Sequence, residues 1–488
     1  MARLAPARRV ALALLGECRR RDARARDLLR ASDAMVGLDP RDRALATRLV
    51  LGTVAARGTL DGLLGAHLSR GHGRLEPRVR DALRMAAFEI CYLDTPTSAA
   101  VSQGVELVRS VSPRAAGLAN AVLRRVAEKG APMVAAARMR VGAGGVNEAG
   151  PGAVGASERE VAVAGACKRE LAVTDVALVG GVPEWLAAAA VECGEGAAVA
   201  RSLEPAPVYV AANVARHTAD EAFDLLAMAG LDPRRVMSDG TTSDGATPDG
   251  ATSDGTTRDG VVAFELGAPA GLAGSGLVEA VDVLPADLSA QHVATLGVPG
   301  AGQRALEVGC GRGTKTVLMA AAMGEGAHLT SCDVDARKVG VARGRVACAG
   351  LADRVTCLAW DGTRLAGDDL PEELLGPFDV VLVDAPCSGT GTLRRHPEIA
   401  WSLGQKDVVE LADLQGRILS AAVARVAPGG RLVYSTCSLL PEEDERVVDV
   451  FLGGAAGAGF SLVDQGRLHP DGGRADVHFC AVLVRTGA

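Results

Sequence analysis

The sequence predicts a multidomain chain: an all-α N-terminal domain, a small α+β subdomain, and a C-terminal α/β domain with a mostly parallel sheet. Three observations predict it. Apolar residues recur at helical spacing through the first 130 residues. Strand-like and helix-like segments alternate from Arg304 onward. The length, 488 residues, exceeds what one core organises.

In residues 1–130 the helical spacing shows in Leu45, Leu49, Val50 and Val54, and again in Ala82, Met85, Ala86 and Ile90. Glycines and prolines fall between such runs. These residues include 23 Lys+Arg against 13 Asp+Glu, although the whole chain has a net charge of -7. A basic domain on an acidic body predicts an anionic partner; the competing reading is a solvated arginine face. The chain opens with a basic stretch, Met1 to Arg9, and a short apolar run, Val10 to Gly16. Arg19, Arg20 and Arg21 follow without a small-residue cleavage site, so an amphipathic helix is expected there instead of a signal peptide. No stretch approaches the roughly 20 apolar residues that span a bilayer. Eleven widely spaced cysteines with no CxxC pair argue against a disulfide scaffold and a zinc site. They point to a reducing cytoplasm. The expectation is a cytoplasmic monomer with no metal and no membrane contact.

Residues 131–175, rich in Ala, Gly and Val, read as a linker. Residues 176–285 mix short helical and strand signals, with a helix start at Val182–Leu186 and a strand at Val208–Val214. Inside them, 238–260 is a tandem repeat: SDGTT, SDGAT, PDGAT, SDGTT, RDG. It lacks the apolar positions that nine-residue calcium-binding turns need, and reads as an expanded surface loop.

Residues 286–488 form the third domain. Leu306–Val308, His328–Cys332, Val355–Ala359, Val380–Val383 and Leu432–Tyr434 are its expected strands, and Phe479–Val484 an expected late edge strand. Several are apolar at every position, as a sheet covered on both faces requires. The first strand runs into Gly309-Cys310-Gly311-Arg312-Gly313-Thr314-Lys315 and then a helix. Such glycines let a backbone approach a ligand closely, and a helix N-terminus offers N–H groups; a tight strand–helix turn explains the pattern equally well. Asp333 ends the next strand, where nucleotide-binding sheets place a carboxylate on ribose hydroxyls. Asp361 ends the third, within reach of an adenine amino group. Two further strands deliver Asp384-Ala-Pro-Cys387 and Ser-Thr-Cys437-Ser to the same edge. Nine of the eleven cysteines read as small buried hydrophobes. Cys387 and Cys437 differ because they sit in ligand-edge loops beside Pro, Ser, Thr and Gly.

With these strings in view, the chain resembles the NOL1/NOP2/Sun family of RNA cytosine-5 methyltransferases. The resemblance rests on DAPCSGTG (384–391), RRHPEIAW (394–401), GGRLVYSTCSLLPEEDE (429–445) and ADLSAQ (286–291). The first 130 residues, especially Leu118 to Arg125, resemble a NusB-type RNA-binding domain. The resemblance implies a Rossmann-like catalytic domain, S-adenosylmethionine as cofactor and small-subunit ribosomal RNA as partner, in the type that modifies position 967 of 16S RNA. It implies Cys437 as the nucleophile that attacks carbon 6 of a flipped cytosine, Asp384 as the carboxylate at the N3 edge, and Cys387 as the residue that helps remove the carbon 5 proton. Residues 309–315, Asp333, Asp361 and Asp384 match the cofactor site, with Lys315 a cation for the cofactor's end or a phosphate.

Two departures stand out. The family's Cys-Ala-Ala-Pro-Gly-Gly-Lys loop reads Gly-Cys-Gly-Arg-Gly-Thr-Lys here, and its Leu-Arg-Val-Asn string reads Val210-Ala-Ala-Asn213. Competing readings are a DNA cytosine-5 methyltransferase, in which the Pro-Cys cysteine is the nucleophile, a methyltransferase of another RNA, and a non-catalytic RNA-binding or antitermination factor.

Overall fold

The computed structural model describes residues 4–21, 25–68, 75–144, 171–236 and 261–486. They form two compact units: Met1–Pro205 with Leu393–Leu403, and Ala206–Thr392 with Gly404–Ala488.

The described residues of the first unit contain helices and no strands. Helix Pro6–Arg21 turns Ala7, Ala11, Leu14 and Leu15 into the core. The buried Arg8 donates Nε to Glu89 Oε2 at 2.9 Å and a second nitrogen to Oε1, tying this helix to helix Pro77–Tyr92. A bidentate pair of this kind leaves neither buried charge unmatched. The apolar run near the N-terminus is therefore part of a packed helix. Helix Pro40–Ala55 starts where Asp39 accepts the Asp42 N–H at 2.8 Å and proline occupies the first turn. It contributes Leu49 and Val50 to a core that also holds Met85, Ala86, Leu107 and Leu123.

Two expected boundaries are corrected here. Residues 131–175 open with helix Ala131–Gly144, whose Val134 and Ala137 are buried; 145–170 and the whole 238–260 repeat lie outside the described residues. The region 176–285 is divided as well. Helices Val173–Gly180, Glu184–Glu192 and Gly196–Ala200 belong to the first unit, and the strands that follow to the second. These helices are short, and each buries only one or two residues larger than alanine, Val176, Leu186 and Val199 among them, too few to make a period visible. Among the described residues no single helix is long and apolar enough to cross a membrane, although the bent pair Val173–Gly180 and Glu184–Glu192 passes on composition together.

The second unit holds two sheets. The smaller comprises β1 (Tyr209–Ala212), β2 (Pro233–Val236), β3 (Ala263–Leu266) and β4 (Val283–Pro285), antiparallel in the order β2-β3-β1-β4. The helix Ala219–Met228 beside it starts on a capping box between Thr218 and Glu221. The larger comprises β5 (Arg304–Val308), β6 (His328–Asp333), β7 (Val355–Ala359), β8 (Phe378–Asp384), β9 (Val426–Thr436), β10 (Phe460–Leu468) and β11 (His478–Arg485), in the order β10-β11-β9-β8-β5-β6-β7. Strands β5 to β9 are mutually parallel; β10 and β11 are antiparallel. The late strand is thus not the edge expected of it: β11 lies between β9 and β10.

Both faces of the larger sheet are buried. Val380 and Leu382 enter one core, Val381 and Val383 the other, which is the period of two that continuous apolar runs conceal. The ADLSAQ string has a structural use. Asp287 caps helix Leu288–Leu296 by accepting the Ser289 N–H at 3.1 Å, and accepts the Asp476 N–H at 3.0 Å. Ser289 Oγ lies 2.7 Å from His478 Nδ1 at the start of β11.

Candidate active site

Because β5 to β9 run in one direction, their C-terminal ends form one edge and the loops after them meet there. Chain order reverses between β5 and β8, and in such sheets ligands bind at the reversal.

The loop after β5 turns on three glycines of positive φ: Gly309 at +92°, Gly311 at +53° and Gly313 at +80°. A Cβ on Gly309 would collide with the Asp384 carbonyl, and one on Gly313 would lie 2.8 Å from Ala342. On Gly311 it would meet nothing within 4 Å. Two glycines therefore serve close packing, and the third leaves space over the loop. The Gly309 and Cys310 N–H groups donate to the Cys332 carbonyl at 2.8 and 3.0 Å. Gly311 N–H donates to Asp333 Oδ2 at 3.0 Å, and Asp333 Oδ1 accepts the Asp335 N–H at 2.9 Å. Arg345 donates to the Arg312 carbonyl at 3.2 Å and to Thr314 Oγ1 at 3.1 Å, fastening the loop to the start of helix Thr314–Ala322. Asp361, exposed just past β7, accepts Thr363 N–H and Oγ1 on a single oxygen at 2.9 and 2.8 Å. Two carboxylates, open space above Gly311 and a helix N-terminus at one edge fit a nucleoside-bearing ligand.

Two placements differ from expectation. Cys310 turns its side chain into the core, where burial pushes its thiol far up, so only its backbone can serve the loop. Lys315 is committed within the protein: its Nζ donates to Asp384 Oδ2 at 2.8 Å. Burial pulls the Lys315 ammonium down, but the Asp384 carboxylate more than offsets this and holds it above its ordinary value.

Asp384 ends β8 in register with Ser435 of β9, and this brings the next loops side by side. Cys387 Sγ lies 3.2 Å from Cys437 Sγ, and the Cys437 N–H donates to Cys387 Sγ at 3.3 Å. The Cys387 thiol is held well above its ordinary value by the hydrogen bond with Cys437, then by burial, then by the charges of Cys437 and Glu443. Of the nine cysteines read as small buried hydrophobes, Cys91, Cys310, Cys332, Cys357 and Cys480 are buried, Cys18 and Cys193 are half-buried, and Cys167 lies outside the described residues. Burial pushes Cys332, Cys357 and Cys480 up to about 12, 11 and 12. Cys348, by contrast, is exposed, against expectation.

The structure adds residues that the sequence did not single out. Glu443, fully buried, accepts from Ser388 N–H at 2.7 Å, Ser388 Oγ, Ser438 Oγ at 2.6 Å and Gln415 Nε2 at 3.1 Å. Its neighbour Asp444 accepts Thr436 Oγ1 at 2.6 Å and Arg467 at 3.0 Å. Glu307, inside β5, accepts Thr316 Oγ1 and Ser331 Oγ on Oε2 at 2.6 and 2.7 Å, while its buried Oε1 has no hydrogen-bond partner. Burial pushes its carboxyl up to about 7. Glu443 lies in the PEEDE string (441–445), where four acids in five residues give no local sign of which is buried.

Comparison with known proteins agrees with this geometry. A family model described as 16S rRNA methyltransferase RsmB/F matches residues 294–465, and a NusB family model matches 5–128. Ribosomal RNA small subunit methyltransferase B of Pseudomonas putida is 30% identical over 437 residues, which cover 86% of this chain and 83% of that protein. A protein of Mycobacterium tuberculosis strain H37Rv, named as a methyltransferase, is 32% identical over 448 residues, covering 89% and 84%. The solved structure of PH0851 shares the fold, with a TM-score of 0.65 and 19% identity over 94% of this chain and 93% of that one. Such identity across most of both chains leaves one assignment: this chain belongs to the RsmB/F family and is an S-adenosylmethionine-dependent RNA methyltransferase with an N-terminal NusB-like domain.

Proposed function

We propose that the chain methylates carbon 5 of a cytosine in 16S ribosomal RNA, of the position 967 type, through a covalent bond between Cys437 and carbon 6 of the base. The observation that carries this reading is the thiol pair, 3.2 Å apart at the ends of neighbouring parallel strands and beside the Lys315–Asp384 pair. Carbon 5 of cytosine is a poor nucleophile until a thiolate adds at carbon 6, and the base must leave its stack to be reached.

In this reading Cys437 adds to carbon 6. Asp384 faces the N3 edge, and the Lys315 ammonium beside it compensates the charge that the ring gains on attack. S-adenosylmethionine supplies the electrophilic methyl group; the Gly309–Lys315 loop, Asp333 toward the ribose and Asp361 toward the adenine would hold it. Cys387 then takes the carbon 5 proton, so that the Cys437–carbon 6 bond can break. Its environment suits the order of events. While Cys437 is free, its hydrogen bond and charge keep Cys387 protonated. Once Cys437 is a neutral thioether, both causes are gone and Cys387 ionises more easily. The basic helical unit would grip RNA phosphates without reading sequence. The ten described cysteines are free thiols, which supports a reducing cytoplasm as the site of action.

The test uses labelled cofactor, unmodified ribosomal RNA and a denaturing gel. Cys437→Ala is expected to be inactive without an adduct, and Cys387→Ala to accumulate a protein–RNA adduct. If instead Cys387→Ala cannot form the adduct, the Pro-Cys thiol is the nucleophile and the reading is wrong.

A further inference from the structure

One buried carboxylate touches both cysteine loops. Ser388 directly follows Cys387, and Ser438 directly follows Cys437; both hydroxyls and the Ser388 N–H donate to Glu443. Gln415 completes the arrangement on the other side of Cys387, donating Nε2 to the Pro386 carbonyl at 2.9 Å and to Glu443 Oε1 at 3.1 Å. The backbone on either side of Cys387 is thus held by one bonded pair of side chains. Cys437 is held likewise: Ser438 by Glu443, and Thr436 by Asp444. Tyr434 OH donates to the Glu443 carbonyl at 2.6 Å, anchoring the brace to β9 itself. Four donors on a fully buried carboxylate offset its loss of water, and leave it no freedom to do anything but hold.

We propose that Glu443 is a positioning residue of the two-cysteine centre: through Ser388 and Ser438 it fixes the separation of Cys387 and Cys437, so that Cys387 reaches the carbon 5 proton of the base bonded to Cys437. This rests on the two-cysteine reading given above. Glu443 touches neither sulfur, and it acts through the residues that follow them.

Glu443→Gln keeps the shape but cannot accept from all four donors. Cofactor binding serves as the folding control, because the Gly309–Lys315 loop lies in the same unit. Turnover is expressed per cofactor-binding site, so a merely unfolded fraction cancels. A misplacement of about 1 Å costs on the order of 100-fold in rate. The expected result is cofactor affinity within about twofold of wild type, kcat down by roughly that 100-fold, and a protein–RNA adduct that accumulates. Ser388→Ala with Ser438→Ala, keeping Glu443, should give the same pattern at about tenfold, a loss nearer that of single hydrogen bonds. Glu443→Gln that binds cofactor and turns over within about threefold of wild type overturns the proposal. If Glu443→Gln does not fold, a double serine variant that turns over like wild type overturns it instead. Cys387→Ala is run alongside. Should it fail to trap the adduct, the two-cysteine reading falls on that lane alone, and the role given to Glu443 falls with it.

Discussion

Glu307 offers a test of the electrostatics beneath the cofactor loop. Its carboxyl rises from 4.5 in the unfolded chain to about 7 in the fold, chiefly through burial, with only Thr316 and Ser331 donating to one of its oxygens. The folded value lies above the unfolded one. Its contribution to stability is therefore fully present below pH 4.5 and is lost as pH rises through about 7. At about 1.4 kcal/mol per unit, the whole loss is about 3 kcal/mol, of which about 2 kcal/mol falls between pH 5.5 and 8.5. Glu307→Gln cannot ionise, and keeps two polar atoms for the same hydroxyls. Urea unfolding of wild type and variant at pH 5.5 and 8.5, followed by circular dichroism, isolates this group because all others titrate alike in both. Wild type should lose about 2 kcal/mol more than Glu307→Gln over that interval. Equal losses would refute the reasoning and mean that Glu307 is charged across the whole interval.

Three other outcomes are expected. Gly58→Ala places a methyl group inside the Trp401 ring, whose indole N–H donates to the Ala55 and Gly181 carbonyls at 2.6 and 3.0 Å; unfolding of the helical unit should ease by about 1–3 kcal/mol in a urea titration. Arg124→Glu with Arg125→Glu, both exposed on helix Ala116–Arg125, should weaken RNA binding and flatten its salt dependence while sparing cofactor affinity; an unchanged salt slope would reject this helix as a phosphate contact. Deleting residues 238–260, whose sequence reads as a surface loop, should leave turnover within about twofold, since loop shortening changes little; abolished methylation by a folded protein would reject that reading.

The sequence made β5 to β9 visible because both faces are covered, so Leu306–Val308 and Val380–Val383 are apolar without interruption. β10 was invisible for the opposite reason: its FSLVDQGRL is an edge strand exposed along most of its length, and carries no alternation. Helix Ala131–Gly144 escaped because the stretch is mostly small residues, and the true end of the helical unit at Pro205 escaped with it. That correction matters for experiments: a cut at residue 130 would strip Val134 from the core it shares with the preceding helices, so charge reversal is the cleaner probe of RNA binding. In the site, strand ends announced Asp333, Asp384, Cys387 and Cys437. The Lys315–Asp384 pair spans 69 residues, and no local pattern encodes it. Glu443 was hidden by its company, since Glu442, Glu443 and Asp444 look alike in sequence while the last two are fully buried.

The choice between the two cysteines as nucleophile turns on what they do not share. Their mutual hydrogen bond belongs to both sulfurs, so it favours neither. Burial and the charge of Glu443 both oppose ionisation at the Pro-Cys position. A Pro-Cys nucleophile would need the reverse, an attacking thiol poised near ambient pH; the Cys437 N–H, which donates to Cys387 Sγ at 3.3 Å, does not outweigh these causes. The one nearby ammonium, Lys315, is bonded to Asp384, and Cys437 is among the groups whose charge stabilises it. Burial and the anion at Glu443 leave the proton on Cys387. This argues for the Ser-Thr-Cys thiol, and against the DNA-type order of roles, without appeal to resemblance.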